Sequence, residues 1–209
     1  MSRDPRPYKM SFSTGGLFLV ESIDVARLHS PGPSWDATIM RALAEGTISL
    51  PKTASQQRTL REIVNRISTL TDEELALLVE TDDRTEQQAL LWLAACRAYR
   101  FVGEFAVQVL RDRHLSYRLD LPLEVFDMFW DEKAEWRPDL AEISQSTRLK
   151  LRQVLFRMMR EAAILSSDGT IHTAYLTARV KALISQTRPT DLAVFPGVAV
   201  EEAAVRVMR

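Results

Sequence analysis

The side chains best suited to chemistry in this sequence are cations. From Ser144 to Leu165 stand Arg148, Lys150, Arg152, Arg157 and Arg160 against the single acid Glu161. Guanidinium and ammonium groups in such a run neutralise phosphates and release condensed counterions. A second run, Leu50 to Leu70, carries Lys52, Arg58, Arg61 and Arg66 against Glu62, with Ser55, Gln56 and Gln57 beside them. Ser, Gln and Arg near a helix N-terminus can reach phosphates and base edges. Groups that would make or break bonds are sparse. His29, His114 and His172 have no ligand partner nearby in sequence and read as helix-end or surface residues. Cys96, in Leu91-Trp92-Leu93-Ala94-Ala95-Cys96, reads as a small buried hydrophobe. Asp131 and Glu132 point about 100° apart on a helix, which suits a solvated acidic face better than paired acid–base work. Nucleophile elbows, phosphate-binding loops, zinc-helix motifs and dinucleotide fingerprints are all missing. The expectation is therefore a protein that is not an enzyme, with no cofactor, no metal and no small-molecule substrate.

These cations need a scaffold, and the chain is long enough to supply one. Its 209 residues, 46% apolar and 26% charged, have the balance of a soluble globular protein. The formal net charge of −1 argues against a uniformly basic polyanion binder. The charge is nevertheless arranged in blocks. Acids dominate Thr71 to Gln88 and Asp120 to Glu142 more strongly than Arg and Lys dominate the two basic runs. A single cysteine excludes an internal disulfide and suits a reducing cytoplasm. The first ten residues lack the apolar core of a secretory signal. The most apolar stretch, Ala89 to Cys96, is far shorter than the roughly 20 residues of a membrane span, so no membrane role is expected.

Helical periodicity dominates the chain, and a mainly α fold with two helical subdomains follows. Residues 1–13 read as a flexible tail, 14–118 as an N-terminal helical domain, 119–186 as a C-terminal winged-helix-like domain, and 187–209 as a tail without assignment. Gly15 to His29 reads as an apolar helix. Ser34 caps a second, with Trp35, Ile39, Met40 and Leu43 inward and Gly46 at its end. Thr53 with Gln56, and Thr71 with Glu74, have the spacing of capping boxes. A long helical region from Thr85 to about His114 is interrupted near Arg100–Gly103. Pro122 restarts the chain at a first helical position, with Val125, Phe126, Phe129 and Trp130 inward and Trp136 partly exposed.

In the helix from Thr147 to Ala163, Leu151, Val154, Leu155, Met158, Met159 and Ala162 form one apolar face. Arg148 and Arg152 flank it, and Lys150, Gln153, Arg157 and Arg160 lie opposite. Asp168-Gly169 between Ile164–Ser167 and Thr170–His172 predicts a two-residue type I′ hairpin, a wing near 164–172. Short helix, polar turn, basic helix and hairpin is the order of a winged helix-turn-helix, whose second helix enters the major groove. The helix 34–45 and the basic helix after Lys52 show a similar order, with a longer connection.

Several runs resemble a known family. Ser13-Thr14-Gly15-Gly16-Leu17, Ser34-Trp35, Arg58-Thr59-Leu60-Arg61-Glu62-Ile63 and Phe129-Trp130-Asp131-Glu132-Lys133 are similar to the BrxA family of bacteriophage-exclusion (BREX) defence systems. The most specific run is Ser146-Thr147-Arg148-Leu149-Lys150-Leu151-Arg152-Gln153-Val154-Leu155-Phe156-Arg157-Met158-Met159-Arg160-Glu161-Ala162. The resemblance spans about Met10 to Ser185. It implies a mostly helical protein similar to the NusB antitermination fold, without catalytic activity, that binds double-stranded DNA. Charge geometry then nominates Arg148, Lys150, Arg152, Arg157, Arg160, Lys52, Gln56, Arg58 and Arg61 as the nucleic-acid-binding residues. The alternatives are a protein–protein adaptor working with other BREX proteins, and an RNA-binding module. Adaptor and DNA binder differ in one observable: whether Arg148, Arg152 and Arg157 are bound to the protein's own carboxylates.

Overall fold

A computed structural model describes residues 7–13, 15–30, 32, 34–46 and 54–200. Local sequence signals account for the first helices. In α2 (Trp35–Glu45) the Ser34 hydroxyl accepts the Ala37 N–H and Gly46 ends the helix at φ 60°. In α4 (Asp72–Glu80) both arms of the Thr71–Glu74 capping box form, at 3.2 and 2.8 Å. The preceding α1 (Leu19–Leu28) starts four residues later than the apolar pattern suggests. The groups at Gly16 and Leu17 that would open that helix are engaged by other elements, and Phe18 turns the chain at φ 55°. Met40 of α2 faces outward, whereas Ile39 is buried.

The helix α3 (Ala54–Ile67) packs its Leu60, Ile63, Val64 and Ile67 stripe against α1 and α5 (Arg84–Ala98). Residues 89–96 of α5 are buried without interruption, so α5 is the central helix, as its all-round apolar pattern demands. The expected interruption falls at Tyr99 (φ −124°, ψ 99°), after which α6 (Arg100–Phe105) turns away. A Cβ on Gly103 would lie 2.9 Å from the Cys96 carbonyl oxygen, so this bend requires glycine. A π-helical segment (Ala106–Arg111) and α7 (Asp112–Leu115) complete the run.

Pro122 caps α8 (Leu123–Ala134) from outside rather than occupying its first turn. Phe126, Phe129 and Trp130 then join Phe101 and Phe105 in an edge-to-face aromatic cluster, with centroids as close as 5.2 Å. After α9 (Pro138–Ala141), Ser144 caps α10 (Gln145–Glu161) by accepting the Thr147 N–H. Trp136, between α8 and α9, is exposed as expected.

The segment after α10 pairs only briefly. Leu165 bridges Ile171, and Asp120 bridges Thr170 from the other side, both antiparallel. Only Gly169 of the central turn has positive φ, at 87°; Asp168 does not. The connection is thus not a type I′ turn. It is a three-residue loop closed by Ser166 N–H on the Thr170 carbonyl at 3.0 Å and ended by a left-handed glycine. Thr177 caps α11 (Ala178–Thr187).

Residues 189–194 form a 3-10 turn buried on α5. Trp92 Nε1 donates to the Val194 carbonyl at 3.0 Å, and Arg97 reaches Asp191 at 2.7 Å and Glu74 at 2.5 Å. Residues of both halves of the chain belong to one continuous buried cluster.

Candidate nucleic-acid interface

On α10 the apolar face is buried as the periodicity requires, through Leu151, Val154, Leu155, Met158 and Met159. Phe156, outside that stripe in the sequence reading, is buried as well. Lys150, Gln153, Arg157 and Arg160 form an exposed stripe at i, i+3, i+7 and i+10. Lys150 and Arg160 make no ion pair with any of the described residues. Arg157, 62% exposed, meets Glu161 one turn on at 2.7 Å.

Arg148 and Arg152 stand differently. Arg148 Nη1 is 2.5 Å from Asp131 Oδ1, Nε is 3.2 Å from Asp127 Oδ1, and Nη2 donates to the Asp127 carbonyl at 2.9 Å. Its guanidinium also lies over Trp130, 5.6 Å from the ring centroid. The hydrogen bond it donates to Asp131, with the charges of both aspartates, holds its pKa above the ordinary arginine value. Arg152 pairs with the second oxygen of Asp127. Both guanidinium groups are thus matched by the acidic helix α8. All three arginines are thus bound to the protein's own carboxylates, the outcome that favours the adaptor, although Arg157 keeps most of its side chain in solvent.

On α3, Arg61 is exposed without an ion pair among the described residues, Gln56 is half-buried, and exposed Arg58 donates to Ser13 Oγ at 3.3 Å. Lys52 lies outside the described residues, as does Thr53 and with it the proposed Thr53–Gln56 box. Arg66 is no surface cation. It is buried against Glu62 at 2.8 Å, donates to the Gly16 carbonyl at 2.5 Å, and touches Met158 Sδ of α10 at 3.6 Å. The i, i+4 spacing of Glu62 and Arg66 was the signal that could have revealed this pair.

Sequence reasoning missed the strap that joins the two basic helices. Residues 11–13 meet α3, and residues 15–17 meet both α3 and α10. Ser11 donates to Glu62 at 3.4 Å, Ser13 accepts from Arg58, and the Leu17 N–H donates to Glu161 Oε2 at 2.5 Å. A Cβ on Gly16 would collide with the Glu161 carboxylate, which would have to move off its bonds to Leu17 and Arg157 to make room. Arg58 on α3 and Arg157 on α10 therefore border the same short segment, through Ser13 and Glu161 respectively.

Among the described residues no group of three His, Cys, Asp or Glu side chains could hold a metal ion, and no helix is long and apolar enough to cross a membrane.

Comparison with known proteins agrees with the family resemblance of the sequence. A "BREX protein BrxA" of Paramagnetospirillum magneticum is 27% identical over 169 residues, covering 80% of this chain and 83% of that protein. One of Escherichia coli is 26% identical over 146 residues, covering 69% and 67%. The crystal structure of an uncharacterized protein from Magnetospirillum magneticum superposes with a TM-score of 0.73 at 22% identity, over 90% of this chain and 96% of that one, which establishes a shared fold. The profile of the BrxA family matches residues 6–188, and the chain belongs to that family.

Proposed function

We propose that this chain is a non-catalytic component of the BREX phage-defence system for which its relatives are named, and that it binds double-stranded DNA there. The observation that carries the reading is the strap, because Arg58 of α3 and Arg157 of α10 both border it, with Arg61, Lys150 and Arg160 exposed on the same two helices. A duplex rewards several cations on one surface in proportion to the phosphates they neutralise. Arg148 and Arg152, held by Asp127 and Asp131, contribute little to that surface as long as the pairs last.

Five neutralised phosphates give a slope of log K against log salt of about −4.5 for a duplex. The test is fluorescence anisotropy with a short labelled duplex and an RNA hairpin, titrated between about 50 and 200 mM salt. Duplex binding is expected near that slope, and K150A/R157A/R160A should reduce it to about −1.8. A flat salt dependence, or an unchanged slope in the triple variant, rejects the reading. Tighter binding to the RNA hairpin than to the duplex replaces it with an RNA-binding one, since the deep, narrow A-form groove excludes side chains that the B-form groove admits.

A further inference from the structure

The face of the protein around α8 has a different character from α3 and α10. Six of the ten large apolar side chains exposed among the described residues lie between Leu115 and Trp136. Tyr117 at the end of α7 is 90% exposed and held at φ 54°, and Met128 on α8 is 71% exposed. Beside Met128, α8 and the π-helical segment enclose an open groove of about 580 Å³. Its apolar lining is Val109, Val125, Met128 and Phe129, and exposed Glu132 and Glu135 line it as well. Val125, Met128, Phe129 and Glu132 follow i, i+3, i+4, i+7, so one face of α8 supplies most of the groove. π-helical turns are uncommon and recur at functional sites, and here one forms the opposite wall.

The charge is one-sided. Glu132 and Glu135 form no ion pair with any of the described residues. The only cation lining the groove, Arg113, is neutralised by Asp120 at 2.9 Å. An apolar lining with unpartnered carboxylates beside it is complementary to a helix with an apolar stripe flanked by Lys or Arg. Among the described residues the basic helix α10 does not serve as such a helix. The exposed stripe of α10 carries Lys150, Gln153, Arg157 and Arg160, and its apolar face is buried in the core.

We infer that the groove between α8 and the π-helical segment is a docking site for a cationic amphipathic helix of another protein. Its apolar side chains cover Met128 and Phe129, and its basic side chains pair with Glu132 and Glu135. This inference does not rest on DNA binding.

The test uses the full chain and three labelled synthetic peptides of equal length: an amphipathic Leu/Lys helix, its Leu/Glu counterpart, and a Ser/Lys peptide without an apolar face. The Leu/Lys peptide is expected to bind and the other two to bind at least about tenfold more weakly. M128E and E132K/E135K should each weaken Leu/Lys binding by about tenfold or more. These positions are exposed, so circular dichroism should show both variants folded, and M128E should keep the wild-type response of any duplex binding to salt. Equal binding of the Ser/Lys peptide overturns the inference, because charge alone would then suffice. Unchanged binding by folded variants overturns it too. So does light scattering that finds an oligomer which M128E converts to a monomer, because a second copy would then cover the groove.

Discussion

If Asp127 and Asp131 hold two arginines of α10 away from phosphate, removing the two carboxylate charges should strengthen DNA binding in a calculable way. The perturbation is D127N/D131N. Asparagine keeps the shape of the side chain and an oxygen that can accept from Arg148 and Arg152, so the hydrogen-bonded scaffold of α8 on α10 is retained while its charge is lost. Two freed guanidinium groups steepen the salt slope by about 1.8, from about −4.5 to about −6.3. Over a fourfold rise in salt, the variant should therefore lose about tenfold more affinity than wild type, and it should bind more tightly at the low-salt end. Anisotropy with one duplex across the salt series reads both quantities. The control is E132Q/E135Q, which removes the same number of charges from α8 and its C-terminal cap, where no arginine is paired. That variant should weaken general repulsion without adding cations at the interface, and its slope should stay near wild type. An unchanged slope in D127N/D131N, or an equal steepening in both variants, would refute the idea that the ion pairs mask a phosphate-binding surface.

The remaining expectations concern the scaffold. Arg97 joins Glu74, Asp191 and the Thr69 carbonyl in a nearly dry site, so Arg97→Met leaves two buried acids unpaired. That should cost about 3–5 kcal/mol in urea unfolding, and a loss well under 1 kcal/mol would show that the pairs do not hold residues 189–194 on α5. Gly16→Ala should destabilise by about 1–3 kcal/mol through collision with Glu161. In a Glu161→Ala background the same change should cost less, and strict additivity in this double-mutant cycle would contradict the collision. Glu86, bonded by Arg179, Thr177 and Thr81, has its pKa lowered to about 2, chiefly by the Arg179 hydrogen bond and against the opposing effect of burial. Its stabilising effect is complete above the ordinary carboxylate range and declines as pH falls toward 2. Glu86→Gln should therefore lower the unfolding midpoint at neutral pH, with the gap to wild type narrowing at pH values below the ordinary range. A constant gap would remove Glu86 as the cause.

What could be read from the sequence depended on how far apart the interacting groups lie along the chain. Ser34 capping α2 and the Thr71–Glu74 box act within four residues, and both formed as their spacing indicated. The central position of α5 followed from an apolar pattern with no polar side to expose. The start of α1 did not follow from local pattern. Gly15 to Phe18 are apolar enough to continue the helix, but Glu161, far away in sequence, takes the Leu17 N–H. Arg148 and Asp127 are 21 residues apart on different helices, so a helical wheel of α10 alone left the arginine looking free. The π-helical segment between α6 and α7 had no signature in composition, although the break before it did.

The same distance dependence explains why a net charge of −1 is compatible with a cationic surface. In the acidic block from Asp120 to Glu142, the aspartates are the paired members. Asp120 meets Arg113, Asp127 and Asp131 meet Arg148 and Arg152, and Asp139 meets Arg137. Glu124, Glu132, Glu135 and Glu142 have no ion pair with the described residues. Short aspartates hold arginine close to the backbone, while the longer glutamates remain in water, Glu132 and Glu135 among them at the groove. Neutralisation within the chain therefore leaves unmatched positive charge on α3 and α10 and unmatched negative charge along and just beyond α8. If the molecule carries two interaction surfaces, they must differ in sign. A rise in salt would weaken duplex binding at one and basic-peptide binding at the other. Substitutions on α10 and at the groove would each affect only one of the two.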